Sequence, residues 1–373
     1  MSNALLHTYA RAPVTFVRGE GARLWDDEGN EYLDFLCGIS VTSLGHCHPK
    51  VVEAVREQAG TLMHTSNLFF NQPMADLAQR ISQSSLGGGV FLCNSGAEAN
   101  EAAFKLARKH RQGGEILSVH GAFHGRTYGA LSATPQESKQ APFAPLVGGF
   151  RAVAPEQLAA SIGPDTAAVI LEPIRGETGI HEFPADELGV VRAACDAHDA
   201  VLIFDEIQTG MGRTGTLWCY EQLGVRPDAM TTAKALGGGL PIGALVVDAK
   251  LDHVLAPGDH GTTFGGNPVA ARAALAAFDV TDDPDLLARV RDLGERLRAA
   301  LAQLPGVSEV RGRGLMVAFD LADGGAPGFA RQALLEQRLV VNATGPQTIR
   351  LEPPLTIGEA EIADAVGRVR AVL

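Results

Sequence analysis

The chain has 373 residues, of which 46% are hydrophobic, 20% are charged and 6% are aromatic, and its formal net charge is −12. This length is typical of a two-domain globular protein with a large core. The acidic balance disfavours broad binding to nucleic acid or to an anionic membrane, because both need clustered Lys and Arg.

The first two-thirds of the chain alternate short apolar runs with helical periodicity. Short alternating stretches between residues 13 and 36 predict an antiparallel meander. Further on, the pattern predicts strands over 89–93, 115–119, 167–171 and 200–204, and helices over 49–62, 73–82, 97–109 and 186–198. Continuously apolar strands separated by helices indicate an α/β fold with a mainly parallel sheet that is covered on both faces.

The pattern changes from residue 268 onward. It predicts helices over 268–278 and 285–304 and strands over 308–311, 315–319, 339–341 and 348–351. We therefore expect a large α/β domain over 51–267 and a smaller α+β domain over 268–373, which the N-terminal segment 1–50 joins.

Several classes of site are disfavoured by the residues present. The five cysteines form no CxxC pair, which argues against a disulfide framework or a structural zinc site. His46, Cys47 and His48 are adjacent, and neighbouring side chains of an extended chain point to opposite faces, so we expect no metal there. No run of about 20 apolar residues and no secretory signal is visible, so we expect a soluble cytoplasmic protein with no membrane partner.

Two segments that follow predicted strands carry polar groups suited to a ligand. Ser95 and Gly96 open a predicted helix, whose free N–H groups could hold a phosphate, although an ordinary Ser cap is favoured by this segment alone. Asp205 ends an apolar strand at the sheet edge where α/β proteins bind ligands. A protonated pyridine nitrogen would compensate a buried carboxylate there, and a Mg²⁺ site or helix capping fits equally well.

Two further segments complete the set. Lys234 ends a small-residue strand before three glycines, and burial would turn it into a nucleophilic amine suited to a Schiff base. A P-loop is excluded because the lysine precedes the glycines. Thr262 and Thr263 lie in a Gly-rich turn that could donate to a phosphate, although alone it is only a loop. Together the four segments supply what pyridoxal 5'-phosphate requires.

With these motifs the sequence resembles the fold-type I pyridoxal-phosphate aminotransferases of class III, the ω-amino-acid group. The resemblance rests on GHCHP (45–49), NSGAEANE (94–101), AFHGRT (122–127), EPIRGE (172–177), FDEIQTGMGRTG (204–215) and HGTTFGGNP (260–268). Within the class it is closest to the acetylornithine aminotransferase branch, through SNLFFNQP (66–73), RGRGLM (311–316) and VNATGPQTIRLEPPLTI (341–357). The fold implied is a mainly parallel seven-stranded sheet flanked by helices, with a small α+β domain built from both chain ends.

The resemblance implies roles for the cofactor-binding residues. Ser95, Gly96 and Ala97 would hold the phosphate, and Thr263 would reach it from a partner subunit. Asp205 would pair with the ring nitrogen and Gln208 with the phenolic oxygen. Phe123 would stack on the ring, and Lys234 would be bonded covalently to the cofactor. Lys234 would also serve as the base that moves the proton.

The resemblance also implies how substrates bind. Arg126 would grip the α-carboxylate of the donor, and Thr262 of the other subunit would line the substrate site. Arg350 would take the α-carboxylate of 2-oxoglutarate, and Glu177 would mask Arg350 in the other half-reaction. Alone, an arginine in a plain strand such as Arg350 would be read as a surface charge.

The activity implied is ping-pong transfer, through pyridoxamine phosphate, of the 5-amino group of N²-acetylornithine to 2-oxoglutarate, giving glutamate, by a cytoplasmic homodimer of arginine biosynthesis. Succinylornithine, ornithine, 4-aminobutyrate or aminoadipate-semialdehyde transamination remains the alternative. A nicotinamide dehydrogenase would need a GxGxxG turn after the first strand of its sheet and an acidic residue about 20 positions later, and neither is found there. Three residues depart from the family pattern, namely Arg175, Thr178 and Ser43, and Arg175 could retune Glu177.

Overall fold

The computed structural model describes residues 4–373. Its strands are β1 (Phe16–Glu20), β2 (Arg23–Asp26), β3 (Glu31–Asp34), β4 (Gly87–Cys93), β5 (Glu115–Val119), β6 (Phe150–Val153), β7 (Thr166–Leu171), β8 (Ile174–Arg175), β9 (His181–Glu182), β10 (Val201–Asp205), β11 (Ala229–Thr232), β12 (Gly243–Asp248), β13 (Val307–Arg313), β14 (Met316–Leu321), β15 (Leu339–Val340), β16 (Asn342–Ala343) and β17 (Thr348–Leu351).

The helices lie between these strands in chain order. They are α1 (Cys37–Ser40), α2 (Pro49–Thr61), α3 (Gln72–Gln83), α4 (Gly96–His110), α5 (Tyr128–Ser132), α6 (Glu137–Gln140), α7 (Leu158–Ser161), α8 (Ala185–His198), α9 (Pro268–Thr281), α10 (Pro284–Leu301), α11 (Ala326–Glu336) and α12 (Glu359–Val372). Single 3₁₀ turns occur at Ala141–Phe143, Pro155–Gln157, Cys219–Gln222, Lys234–Gly237 and Ala249–Leu251.

A seven-stranded sheet forms the centre, in the order β4-β12-β11-β10-β7-β5-β6. Strands β11, β10, β7, β5 and β6 pair in parallel, whereas β12 is antiparallel to both of its neighbours. The predicted mainly parallel sheet is confirmed, and the sequence reading missed β6 and β12. Only the 3₁₀ turn Lys234–Gly237 lies between β11 and β12, and this connection is shorter than the crossover that a parallel pair usually needs.

Helices cover both faces of this sheet. On one face Ile170 and Ile203 pack with Phe104 of α4, and on the other Leu202 packs with Val191 of α8. All five side chains are buried, as expected for strands whose residues alternate between two covered faces. The strands are thereby held rigidly, and their carboxyl ends form a fixed edge.

The two ends of the chain share a second core. Strands β1, β2 and β3 form the expected antiparallel meander, and β15 adds to β3 in parallel. A further sheet has the order β13-β14-β17-β16. Leu33 and Phe35 from the N-terminal segment pack with Leu297, Phe319 and Ile362 from the C-terminal part. The α+β unit built from both chain ends is thus observed, while the domain limits at 50 and 267 stay predictions.

Element limits differ from the expectations by a few residues. The helix expected over 285–304 ends at Leu301, and the strand expected over 308–311 continues to Arg313. Leu304 nevertheless remains buried in the second core, so the apolar periodicity of the sequence continues past the helix end. Periodicity therefore identifies buried positions better than it identifies termini.

Candidate active site

The carboxyl edge of the central sheet borders a cavity of about 520 Å³. Asp205 is the last residue of β10 and lies beside Thr231 of the parallel neighbour β11. Glu172 follows β7, and Lys234 follows β11 by two residues. These three acidic or basic side chains come from separate strands, and the shared direction of those strands brings them to one cavity.

The start of α4 forms one wall of the cavity. Ser95 is the N-cap and accepts a hydrogen bond from the N–H of Glu98 at 3.2 Å. The Glu98 carboxylate accepts from the backbone N–H of Asn94 at 2.9 Å rather than from that of Ser95. Ser95 therefore caps the helix, in agreement with the interpretation that the sequence segment alone favoured. The helix start still lines the cavity with Ser95, Gly96 and Ala97, where the N–H groups of a first turn can hold an anion.

Gly96 is placed where a side chain would not fit. A Cβ at this position would come within 2.6 Å of the Ile207 side chain. Ile207 lies on the loop after β10 and lines the same cavity. The missing side chain therefore lets the helix start and the end of β10 approach each other closely.

Asp205 is held by three donors. Its Oδ2 accepts from Asn100 Nδ2 at 2.9 Å and lies 2.8 Å from Nδ1 of His124, while its Oδ1 accepts from the N–H of Ile207 at 3.1 Å. Asn100 is held in turn by Thr231, which donates to its Oδ1 at 2.8 Å. Because Asp205, Asn100 and His124 are almost completely buried, this network fixes the carboxylate at the cavity wall.

Lys234 begins a 3₁₀ turn with a backbone φ of +45°, a left-handed conformation that is uncommon for residues other than glycine. Burial lowers the pKa of its amine below the ordinary value, although Glu352 and Glu177 oppose this effect. With its amide oxygen turned inward, Gln208 accepts from Lys234 Nζ at 2.8 Å. A desolvated amine on a strained backbone, open to the cavity, is the arrangement expected of a nucleophile or a base.

Arg350 and Glu177 form an ion pair, of which Glu177 lines the cavity. Nη1 of Arg350 donates to Oε1 of Glu177 at 2.7 Å and to the Gly176 carbonyl at 3.2 Å. The Arg350 side chain is fully buried, whereas the Glu177 side chain is 26% exposed. Burial alone would raise the pKa of Glu177, but Arg350 and Lys234 hold it below its usual value. The pair therefore has a fixed cation and an accessible anion.

Glu172 connects two loops of the cavity. It accepts from the N–H of Phe123 at 2.8 Å and from the N–H of Gly176 at 3.4 Å. Burial raises the pKa of Glu172 to about 7, and the electrostatic interaction with His124 opposes this increase. The sequence reading assigned this residue no role, and the contacts show a link between the loop of Phe123 and the turn that carries Glu177.

Phe123 and Arg126 both line the cavity, and the Arg126 guanidinium lies 5.6 Å from the centre of the Phe123 ring. Arg126 is exposed, as a residue that meets an incoming substrate must be. Lys139 Nζ lies 5.7 Å from the same ring centre. This second cation was not anticipated, since nothing in its local sequence distinguishes it from a surface lysine.

Besides the buried Arg350, two of the expected site residues, Thr262 and Thr263, lie outside the cavity lining of the described chain. Thr262 accepts a hydrogen bond from Asn94 Nδ2 at 2.9 Å, just outside the start of α4. Thr263 is exposed and borders a surface depression with Asn67 and Leu68. Both were expected to act from a partner subunit, and that expectation stays a prediction.

The three departures from the family pattern have clear local roles. Arg175 donates to the His120 carbonyl at 2.9 Å, away from Glu177, and Thr178 donates to the Gly121 carbonyl at 3.0 Å. Ser43 accepts from the buried Arg213 at 2.9 Å. The structure therefore gives no contact through which Arg175 would retune Glu177.

The chain matches the family described as aminotransferase class-III over residues 6–373. It is 47% identical to an acetylornithine aminotransferase of Caldanaerobacter subterraneus, with 97% of this chain and 95% of the relative covered. It is 46% identical to an acetylornithine aminotransferase of Methanocaldococcus jannaschii, with 97% and 93% covered.

Solved structures agree with these relatives. The ornithine aminotransferase of Toxoplasma gondii has a TM-score of 0.94 at 35% identity, with 99% of this chain and 91% of that chain covered. The N-acetylornithine aminotransferase of Stenotrophomonas maltophilia has a TM-score of 0.85 at 39% identity, with 98% and 96% covered. The expectation of a fold-type I architecture is confirmed.

Proposed function

Since the chain belongs to the class-III aminotransferase family, we propose that it transfers the 5-amino group of N²-acetylornithine to 2-oxoglutarate, giving N-acetylglutamate 5-semialdehyde and glutamate. The observation that carries the proposal is that Lys234, Asp205 and Glu177 border one cavity, and that Glu177 is paired there with the buried Arg350. The relatives named above support the acetylated substrate. In a cell this reaction serves arginine biosynthesis.

The family is pyridoxal-phosphate-dependent, which agrees with the cofactor predicted from the sequence. The residues fit this group: a helix start without a side chain at Gly96 suits the phosphate, and buried Asp205 suits a protonated ring nitrogen. Gln208 lies 2.8 Å from Lys234 Nζ, within reach of a phenolic oxygen next to that amine. When bound, the cofactor supplies an electron-withdrawing ring that stabilises negative charge at the substrate carbon.

The remaining chemistry belongs to the chain itself. Lys234 would hold the cofactor covalently through Nζ, and the same amine, once free, would serve as the base that accepts and returns the proton of the substrate carbon. Its lowered pKa favours the neutral amine that both tasks need. Asp205, held by Asn100 and His124, stays fixed as the partner of the ring nitrogen.

Two arginines separate the two half-reactions. Arg126 binds the α-carboxylate of acetylornithine, which lies far from the reacting 5-amino group. The α-carboxylate of 2-oxoglutarate lies next to the reacting carbon, and Arg350 receives it after Glu177 has moved away. While Glu177 occupies Arg350, the fixed cation is neutralised and the site accepts a donor without a carboxylate at that point.

The proposal includes a homodimer whose sites are completed across the interface. Leu68, Phe69 and Phe70 are exposed by 85%, 67% and 94%, and such a contiguous apolar surface is typical of an interface. Asn67 donates to the Thr262 carbonyl at 3.0 Å and so joins this segment to the turn that carries Thr262 and Thr263. Both threonines would then face the partner's cavity.

The location of the protein is part of the proposal as well. Among residues 4–373, no helix is both long and apolar enough to cross a bilayer. The cytoplasm predicted from the sequence remains the proposed compartment.

The deciding experiment compares kcat/KM for acetylornithine, ornithine and 4-aminobutyrate on the purified protein. We expect acetylornithine to be preferred, and a preference for ornithine would favour the alternative suggested by the Toxoplasma structure. Arg126→Ala should raise the KM for acetylornithine by an amount worth about 2 kcal/mol or more, with cofactor affinity nearly unchanged. Equal kinetics in this variant would place the donor carboxylate elsewhere.

A further inference from the structure

Glu352 is a buried carboxylate that the reaction described above does not use. It follows β17 directly, and its side chain is fully buried. Because residues two apart in an extended strand point to the same side, Glu352 and Arg350 face the same space. Oε2 of Glu352 lies 3.5 Å from Nε of Arg350. Arg350 therefore has two carboxylate partners, one on each side.

The two partners differ in how firmly they are held. Glu177 lies on the turn after β8, and its side chain is 26% exposed. Glu352 is anchored through its backbone N–H, which donates to the Phe35 carbonyl at 2.7 Å, and its side chain has no exposed surface. Glu177 can therefore leave Arg350 for solvent, whereas Glu352 cannot.

The surroundings of Glu352 are rich in positive charge. Arg213 is fully buried, and its hydrogen bonds go to neutral groups, namely the carbonyls of Leu315 and Pro353 and the hydroxyl of Ser43. Burial lowers the pKa of Arg213, and Glu352 is the group that most opposes this effect. Among the described residues, neither carboxylate oxygen of Glu352 has a hydrogen-bond donor within reach. Its role is therefore that of a counter-ion rather than of a hydrogen-bonded structural link.

A buried guanidinium without any counter-ion is costly. The proposed second half-reaction requires Glu177 to leave Arg350 before an α-carboxylate arrives. For that interval Arg350 would otherwise have only neutral partners, namely Asn342, Gly176 and Gln208. We propose that Glu352 is a positioning residue: it is the fixed counter-ion that keeps Arg350 compensated and in place while Glu177 and the oxo-acid carboxylate exchange. This inference rests on the proposed function for the identity of the exchanging carboxylate. The role of Glu352 as counter-ion of Arg350 rests on the geometry alone.

The first test separates the two half-reactions. In a ping-pong enzyme, kcat/KM for each substrate reports its own half-reaction. Glu352→Gln should lower kcat/KM for 2-oxoglutarate about tenfold or more, because opening the Arg350–Glu177 pair then leaves the guanidinium bare. The value for acetylornithine should fall clearly less than that for 2-oxoglutarate, since Glu177 stays on Arg350 in that half-reaction and only the effect of Glu352 on the pKa of the Lys234 amine is lost.

Two further variants complete this test. Glu352→Asp keeps the charge and should restore part of the loss with 2-oxoglutarate. Glu336→Gln removes an exposed carboxylate of α11 and should change neither value. An equal loss for both substrates in Glu352→Gln, or no loss for either, would overturn the proposal.

The second test needs neither substrate nor cofactor. In the cofactor-free protein, Glu177→Gln should lower the melting temperature more in the Glu352→Gln background than in the wild type, because Arg350 then has no counter-ion left. Additive effects would overturn the counter-ion role. If the wild type turned over neither substrate while the two substitutions were still coupled, the proposed function would fail and the counter-ion role would stand.

Discussion

The buried network around Asp205 leads to a quantitative prediction for Asn100→Asp. The Asn100 amide nitrogen lies 2.9 Å from Oδ2 of Asp205, so the substitution places a second carboxylate in hydrogen-bond distance of the first. Two like charges at that separation repel by about 6 kcal/mol at an effective dielectric constant of 20. The two carboxylates should therefore share one proton up to neutral pH and beyond, as like-charged pairs do.

The consequence for stability has a definite sign. A carboxyl that ionises less readily in the folded protein than in the unfolded chain contributes stability below its unfolded pKa, and the contribution is lost as the pH rises. The deficit in unfolding free energy of Asn100→Asp relative to the wild type should therefore grow between pH 4 and pH 8. After relaxation we expect this growth to be about 3 kcal/mol or more, with the Coulomb figure of about 6 kcal/mol as the upper limit.

The assay is denaturant unfolding of the cofactor-free protein at fixed protein concentration and at several pH values. Asn100→Leu is the matched control, since it has a similar size, loses the same hydrogen bonds and adds no charge. Its deficit relative to the wild type should be constant with pH. If the difference in unfolding free energy between Asn100→Asp and the wild type did not change with pH over this range, the two side chains would not share one buried, poorly screened site.

Three other substitutions test separate parts of the site. Lys234→Ala should remove the covalent attachment of the cofactor and with it the visible absorption band of the wild-type protein; an unchanged spectrum would contradict the role of this lysine. Gly176→Ala would place a Cβ 1.4 Å from the side-chain amide of Gln208, so activity should fall steeply at a cost in unfolding free energy of only about 1–3 kcal/mol. Gly189→Ala, with nothing within 4 Å, is its control, and equal activities in the two variants would show that the Gln208 position is unimportant. Burial raises the pKa of Glu206 to about 7, so this group stabilises the fold below pH 4.5 and loses about 3 kcal/mol as the pH rises through 7. Denaturation curves of Glu206→Gln should lack that part of the pH dependence, and identical slopes would contradict it.

The sequence predicted the site best where a chemically distinctive residue stands at the end of a predicted strand. Asp205 and Lys234 each stand at or just after the end of a buried strand, and parallel strands must bring such ends to one edge. The prediction that both meet one ligand needed only that rule and a count of strands. The resemblance to class-III aminotransferases then supplied Arg350 and Glu177, whose pairing no local pattern would indicate.

The residues that the sequence reading missed act over long separations. Asn100 and Asp205 are joined by a hydrogen bond across 105 positions, and Asn100 looks like any polar residue of an amphipathic helix. His124 was part of a quoted motif, but its contact with Asp205 spans 81 positions. Polar residues inside a helix or loop carry no mark of burial, and only the packed structure shows which ones are desolvated.

The reversed direction of β12 determines what kind of residue can lie beside the start of α4 at the cavity. Because β12 runs against its neighbours, its first residue, Gly243, rather than its last, lies beside Cys93 at the ligand-binding edge. A Cβ on Gly243 would come within 2.6 Å of the Ser95 carbonyl oxygen. We therefore expect position 243 to tolerate only glycine. Alanine there would push the turn at Ser95 and Gly96 outward before it disturbed the sheet.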